Sequence, residues 1–310
     1  MRIDDRVWAE LLLLGLIWGG SFVALSVALR EMGPLTSAAW RTGLGAAGLW
    51  LAAAATRAPL PRSARFWGAC LVMGLLNNAL PFSLFAWAQQ SIESGLTSIL
   101  NAMTAVFGGL VAGLLLKDER LTARRLVGAG LGVAGVATIM GAEALAELDL
   151  RSLAQLAALA ATLSYAVASV WARVALGGAS PSTAAAGMCT GGFLMMAPLA
   201  LWREGPPTLA MSAEVWAALL YYGLPATAGA YLLYYRILAR AGAANTMLVT
   251  LIIPPFGIVL GWALLDERLE PRAYAGLALI ALGLAAIDGR PWASLRRALG
   301  IDRGPGRRSL

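Results

Sequence analysis

The sequence predicts an all-α integral membrane protein, with ten transmembrane helices in two inverted five-helix repeats. Three observations lead there. The 310 residues are 59% hydrophobic and 13% charged, about half the charge of a soluble domain. The mean hydropathy is +0.71. The chain also aligns with itself at a fixed offset.

A helix crosses ~30 Å of hydrocarbon with about 20 apolar residues. Runs of that kind stand near 9–29, 34–56, 66–89, 94–116, 123–142, 152–173, 181–202, 212–235, 242–265 and 271–288. The first run follows a leading segment in which Arg2 and Arg6 balance Asp4 and Asp5, and it is too long for a signal-peptide core. It reads as a membrane helix. The connections are short and carry the charges, so no soluble domain fits between the runs. Residues 1–8 form an N-terminal segment, 9–142 a first repeat, 152–288 a second repeat and 289–310 a basic tail. Trp292, Leu295 and Leu299 of the tail, with Arg296 and Arg297, suit a short amphipathic helix on an anionic membrane surface.

Lys and Arg set orientation. With the N-terminus in the cytoplasm, the cytoplasmic segments hold 18 of them and the outer loops five. Both termini are therefore expected on the cytoplasmic side of a bacterial inner membrane. The net charge of +7 reads as orientation rather than as a nucleic-acid surface.

The self-alignment centres on a repeated word. Asp118-Glu119-Arg120-Leu121 falls on Asp266-Glu267-Arg268-Leu269 at an offset of 148. Gly109, Gly113, Gly128 and Gly135 fall on Gly257, Gly261, Gly276 and Gly283. In all, 12 of the 27 positions from 109 to 135 are identical without a gap. Each half holds five helices, an odd number, so the second half enters the membrane upside down. Inverted repeats are the architecture of secondary transporters, which expose one midplane site to alternate sides. Each copy of the word reads as a hairpin turn. Thr122 and Glu270-Pro271 open the following helices, and the acids lie where the helix dipole favours them.

These pieces resemble the ten-helix EamA-type family of the drug/metabolite transporter superfamily. The similarity rests on IWGGSFVA in the first helix, the lone arginine of AWRTGL in the second, the LLKDERL and LLDERL hairpins, and the proline of LIIPPFG in the ninth. The first repeat departs from the last feature, with NAMTAVFGG in place of a proline. The resemblance implies a carrier of small metabolites, most like bacterial exporters of aromatic and neutral amino acids.

The residue inventory bears on the substrate. There is no histidine, the commonest general base and metal ligand. Cys70 and Cys189 sit in apolar runs and read as packing residues. Nothing calls for a cofactor or metal. Arg41 is the only ionised group well inside the membrane, about 10 Å below the start of its helix. It reads either as tied to helix-end carbonyls and the interface or as a counter-ion for a substrate carboxylate. No acid lies deep, with Glu10 and Asp288 near helix ends. A proton-coupled exporter of cationic drugs would be expected to carry such an acid, and a carrier of nucleotide-sugars would need more cations. A neutral or zwitterionic substrate, amino acids first, fits best. A purine, a nucleoside or a drug is the second reading. An integral-membrane enzyme is disfavoured for want of a reactive constellation.

Polar and aromatic residues mark the expected cavity: Trp18, Arg41, Asn77, Asn78, Phe82, Asn101, Tyr165, Tyr222, Tyr231 and Asn245. Amides facing lipid lack partners, so the asparagines serve either interhelical hydrogen bonds or substrate. Trp18 and Tyr165 correspond across the repeats. Gly-x-x-x-Gly pairs at 15/19, 109/113, 128/132 and 257/261 are expected to pack helices closely. Pro254-Pro255 is expected to kink the ninth helix. Partners are a small-molecule substrate and the lipid bilayer. Two fused halves complete the symmetric unit, so no obligate protein partner is implied.

Overall fold

In the computed structural model the chain is described over residues 5–115, 122–146, 150–176, 180–241, 246 and 249–288. The elements follow the apolar runs. They are α1 (Asp5–Ala28), α2 (Pro34–Ala55), α3 (Ala64–Gly74), a π segment (Leu75–Ala79), α4 (Leu80–Ala88), α5 (Ser94–Asn101), α6 (Met103–Leu115), α7 (Ala123–Ala146), α8 (Leu150–Ala175), α9 (Pro181–Glu204), α10 (Ala213–Gly223), a second π segment (Leu224–Gly229), α11 (Ala230–Ala241), α12 (Val249–Leu265) and α13 (Pro271–Asp288). Among the described residues there is no strand. Five helical stretches, 5–28, 64–88, 94–115, 151–175 and 181–204, are long and apolar enough to cross a membrane. Shorter apolar stretches cover 126–139, 252–265 and 271–286.

Prolines open α2, α9 and α13. Their fixed φ suits the first helical turn, where a missing N–H costs nothing. The first helix begins four residues before its apolar run, because Asp5 stands in the first turn, where the dipole favours an acid. The third and eighth runs are each broken near mid-length by a π segment, at 75–79 and 224–229. Pro254 and Pro255 stand inside α12, which continues helically through both.

Helix packing is led by a few pairs: α7 with α13, α2 with α9, α1 with α12, and α8 with α4 and α6. The α7–α13 contact is built from glycines. A Cβ on Gly135 would lie 2.7 Å from the Gly276 carbonyl oxygen, and one on Gly283 would lie 2.6 Å from the Gly128 carbonyl oxygen. The four glycines are the aligned pairs 128/276 and 135/283, and the contact exchanges them reciprocally. Gly19 gives α1 similar access to α12, where a Cβ would meet the Gly257 backbone nitrogen at 2.9 Å.

Carboxylates at one end of the bundle cap helices to which they do not belong. Glu204, the last residue of α9, accepts from the α2 backbone nitrogens of Leu35 at 2.9 Å and Thr36 at 2.8 Å, and from the Thr36 hydroxyl at 2.6 Å. Glu267 treats α5 in the same way. It accepts from Ser94 N at 2.9 Å, the Ser94 hydroxyl at 2.8 Å and Gly95 N at 3.0 Å. The backbone explains its reach. Asp266 has φ 54°, and Glu267 N donates back to Gly261 O at 3.2 Å, so the chain turns sharply at a left-handed residue as the helix ends. This turn lays the Glu267 side chain over Gly261, toward the start of α5. Its acid therefore serves α5 rather than the following helix. The first copy of the word, at 118–121, lies outside the described residues.

Glu10 stands near the start of α1, as expected, but is buried there. It is 7% exposed. Its Oε1 lies 3.0 Å from Arg240 Nη1, 3.2 Å from Arg236 Nε and 3.6 Å from Arg6 Nε. The group ties α1 to α11 at the end of the bundle opposite the Glu267 cap.

Candidate functional site

The π segments place the polar side chains. A π turn widens the helix and loosens its ladder, which is tolerated where hydroxyls or neighbours take up the backbone groups. At 224–229 the Thr227 hydroxyl donates to the Tyr222 carbonyl oxygen at 2.9 Å. At 75–79 the Ser164 hydroxyl, from α8, donates to the Leu76 carbonyl oxygen at 2.6 Å.

Arg41 of α2 meets the second π segment. Its Nε donates to Thr227 Oγ1 at 3.0 Å, and its Nη1 donates to the Tyr222 hydroxyl at 2.9 Å. Its Cζ lies 3.8 Å from the Phe82 ring centroid and 4.2 Å from that of Tyr222. Both rings are within cation–π range. The partners are thus hydroxyls and aromatic rings rather than the helix-end carbonyls that one reading expected. A guanidinium carries five N–H donors. Two are used here, and no ion pair joins Arg41 to a carboxylate among the described residues. The Nη edge keeps the remaining three.

Asn77 and Asn78, in the first π segment, join Tyr231. Asn77 Nδ2 donates to the Tyr231 hydroxyl at 2.9 Å, and that hydroxyl donates to Asn78 Oδ1 at 3.4 Å. Asn78 Nδ2 lies 3.6 Å from Cys189 Sγ of α9. This network ties the two π-containing segments together and to α9. Tyr165 stacks at 6.0 Å on Phe85, which meets Phe22 edge-on at 5.8 Å. Trp18 lies 5.8 Å from Tyr234. Both Trp18 and Tyr165 are half-buried.

Of the expected residues, the structure gathers Arg41, Phe82 and Tyr222 into one cluster and Asn77, Asn78 and Tyr231 into another. Tyr165 packs against the apolar group that holds Phe82 and so adjoins the Arg41 cluster, whereas Trp18 pairs with Tyr234. Asn101 ends α5 half-buried. Asn245 lies outside the described residues. Thr227 and Ser164 were not expected. A threonine five residues after a buried tyrosine, with Pro225 between them, is a signal only to a reader who already knows that the helix widens there. A separate groove of about 450 Å³ opens between α2 and α9, lined by Trp40, Gly43, Leu44, Phe193 and Leu201 among others. It uses a different face of α2 and has no charged lining residue.

The site thus offers one cation with a free donor edge, aromatic surfaces and neutral amides on helices that cross apolar surroundings. The sequence profile of the EamA-like transporter family matches the chain twice, over residues 7–141 and 152–287. The chain is 24% identical over 280 residues to the uncharacterized transporter YoaV of Bacillus subtilis (strain 168), covering 90% of this chain and 95% of that one. It is 26% identical over 315 residues to a probable terminal-alkyne amino-acid exporter of Streptantibioticus cattleyicolor, covering 99% and 100%. A probable amino-acid metabolite efflux pump of Escherichia coli (strain K12) is 26% identical over 296 residues, covering 92% and 94%. A solved crystal structure superimposes with a TM-score of 0.67 at 19% identity, covering 92% of this chain and 98% of its own. That likeness concerns the fold. The two profile matches span nearly all of the chain, and together with the apolar helices they make this multi-pass membrane protein a member of the EamA-like transporter family.

Proposed function

We propose that this carrier exports small carboxylate-bearing metabolites, amino acids among them, across the bacterial inner membrane by alternating access. The observation that carries the reading is Arg41. A half-buried guanidinium with a free donor edge and no carboxylate partner among the described residues suits a substrate carboxylate, because planar bidentate pairing matches the two groups. Phe82 and Tyr222 hold the guanidinium in place. Tyr165 and Trp18 offer apolar surface to the rest of the substrate, and Asn77, Asn78 and Tyr231 flank it with neutral hydrogen bonds.

Alternation between two inverted five-helix halves is supported by several features. The family profile matches each half. The glycine contacts of α7 and α13 are reciprocal. A π segment interrupts the third and the eighth membrane run alike. The Lys and Arg bias supports a cytoplasmic location for both termini, with Glu10 at the inner end and the Glu204 and Glu267 caps at the outer end. The two relatives named as a probable amino-acid exporter and a probable amino-acid metabolite efflux pump support the substrate class. Among the described residues the one buried acid, Glu10, is paired with arginines, so flux follows the substrate's own gradient.

Counterflow in proteoliposomes tests the reading. Vesicles loaded with aromatic and neutral amino acids should take up the labelled acid, and Arg41→Gln should abolish the uptake. Uptake of cationic dyes or nucleobases without amino acids would reverse the ranking. Uphill export driven by a pH gradient would overturn the gradient-following mechanism.

A further inference from the structure

We infer that the Arg41 site prefers monoanionic carboxylates, acids whose amino group is absent or acylated, over zwitterionic amino acids. The inference rests on the reading of Arg41 as the carboxylate anchor and narrows its substrate class. It follows from charge balance and from the geometry of the guanidinium.

The chain contains 17 Asp and Glu residues. Apart from Glu10, each stands in a connection, in a terminal segment or within four residues of a helix end. Glu10 faces Arg6, Arg236 and Arg240 and is spent on them. Arg41 therefore brings a positive charge to the interior with no carboxylate paired to it among the described residues. A bound carboxylate makes the site neutral. A zwitterion neutralises the guanidinium and then adds an ammonium, leaving one positive charge where desolvation is costly.

Aromatic faces are the usual neutral host for an ammonium. Here the nearest two are already occupied, because Phe82 and Tyr222 face the guanidinium at 3.8 and 4.2 Å. The neighbouring Thr227 hydroxyl is occupied as well. Thr227 accepts from Arg41 and donates to the Tyr222 carbonyl. Asn78 Oδ1 accepts from Tyr231. With Nε bound to Thr227, a carboxylate docks end-on across Nη1 and Nη2. Its substituent then points away from the rings that hold the guanidinium.

Titration calorimetry on the full-length protein in nanodiscs decides the matter, with phenylacetate, N-acetylphenylalanine, phenylalanine and phenethylamine as probes. Both acids should bind at least about tenfold more tightly than phenylalanine, a difference of about 1.4 kcal/mol, and phenethylamine should not bind. Arg41→Gln, checked for an unchanged melting profile, should erase the preference. Phenylalanine binding through Arg41 as tightly as the acids would overturn this inference and leave the proposed function standing. Phenylalanine binding that is indifferent to Arg41→Gln would overturn the proposed function itself. If neither acid binds the wild-type protein, the inference fails as well.

Discussion

Glu267 caps Ser94, which stands 173 positions earlier in the chain. One carboxylate takes the Ser94 amide, the Ser94 hydroxyl and the Gly95 amide at the N-terminus of α5. The positive end of the helix dipole adds to these three bonds. Gly261 leaves the space, since a Cβ there would collide with the Glu267 carboxylate. The hairpin between α12 and α13 is thereby fastened to the start of α5.

Replacing Glu267 by Ala should cost about 2 kcal/mol, the range for losing an N-cap with charge-assisted bonds. Glu267→Gln keeps an acceptor and should recover part of it. Thermal unfolding in detergent reads both. The Arg268→Ala variant is the control, because Arg268 is 82% exposed and contacts only Asp266 at 3.8 Å. An Arg268 effect as large as that of Glu267 would show that the loop matters for a reason other than the cap.

Thr227 joins two jobs, accepting from Arg41 Nε and donating to the Tyr222 carbonyl. Thr227→Val keeps the shape and removes both bonds, leaving buried polar groups unpaired at about 1–3 kcal/mol. Thr227→Ser should restore stability. In transport, Val should raise KM more than it lowers the maximal rate, because the guanidinium loses its alignment and keeps its charge. Equal kinetics for Val and wild type would remove Thr227 from the site.

The α7–α13 interface makes a symmetric prediction. Gly135→Ala and Gly283→Ala each push a methyl group against a backbone oxygen, at 2.7 and 2.6 Å. Overpacking of this kind costs about 1–3 kcal/mol, and the two variants should melt at similar temperatures. Gly68→Ala meets nothing within 4 Å and should be neutral or slightly stabilising in its helix.

Acidification should loosen the connection between α1 and α10. Glu31 accepts from Ser212 N at 2.9 Å, and hydrogen bonds from Ser212 hold its carboxyl below the ordinary carboxylate value. A depressed value means that the stabilisation is fully present above the unfolded-state pKa and is lost as pH falls through the folded one. Glu31→Gln should therefore melt below wild type at neutral pH and match it in strong acid. A gap that persisted in acid would assign the difference to something other than this carboxylate.

Much of the architecture was legible because it depends on local hydrophobicity. The apolar runs became helices, the prolines at 34, 181 and 271 opened them, and four of the glycines aligned at the 148 offset, 128, 135, 276 and 283, turned out to pack against one another. The site was legible in part. Arg41, Phe82 and Tyr222 met as a cluster, since a lone cation in apolar surroundings must find π faces and acceptors. Asn77, Asn78 and Tyr231 met because buried amides must be paired. The π segments were not legible. They arise from backbone that relaxes only against a neighbouring hydroxyl, such as Ser164 on another helix. The DERL word was read as hairpin punctuation, which holds for the turn at Asp266, but nothing local pointed Glu267 toward α5.

Composition and periodicity thus decided that this chain is a bundle of apolar helices with a duplicated pattern and a single deep cation, because burial in lipid is a property each segment carries alone. Folding decided which groups that cation meets and which carboxylate closes which helix. Those contacts join residues up to 186 positions apart, as in Arg41 and Thr227, and no local rule relates residues that only packing brings together.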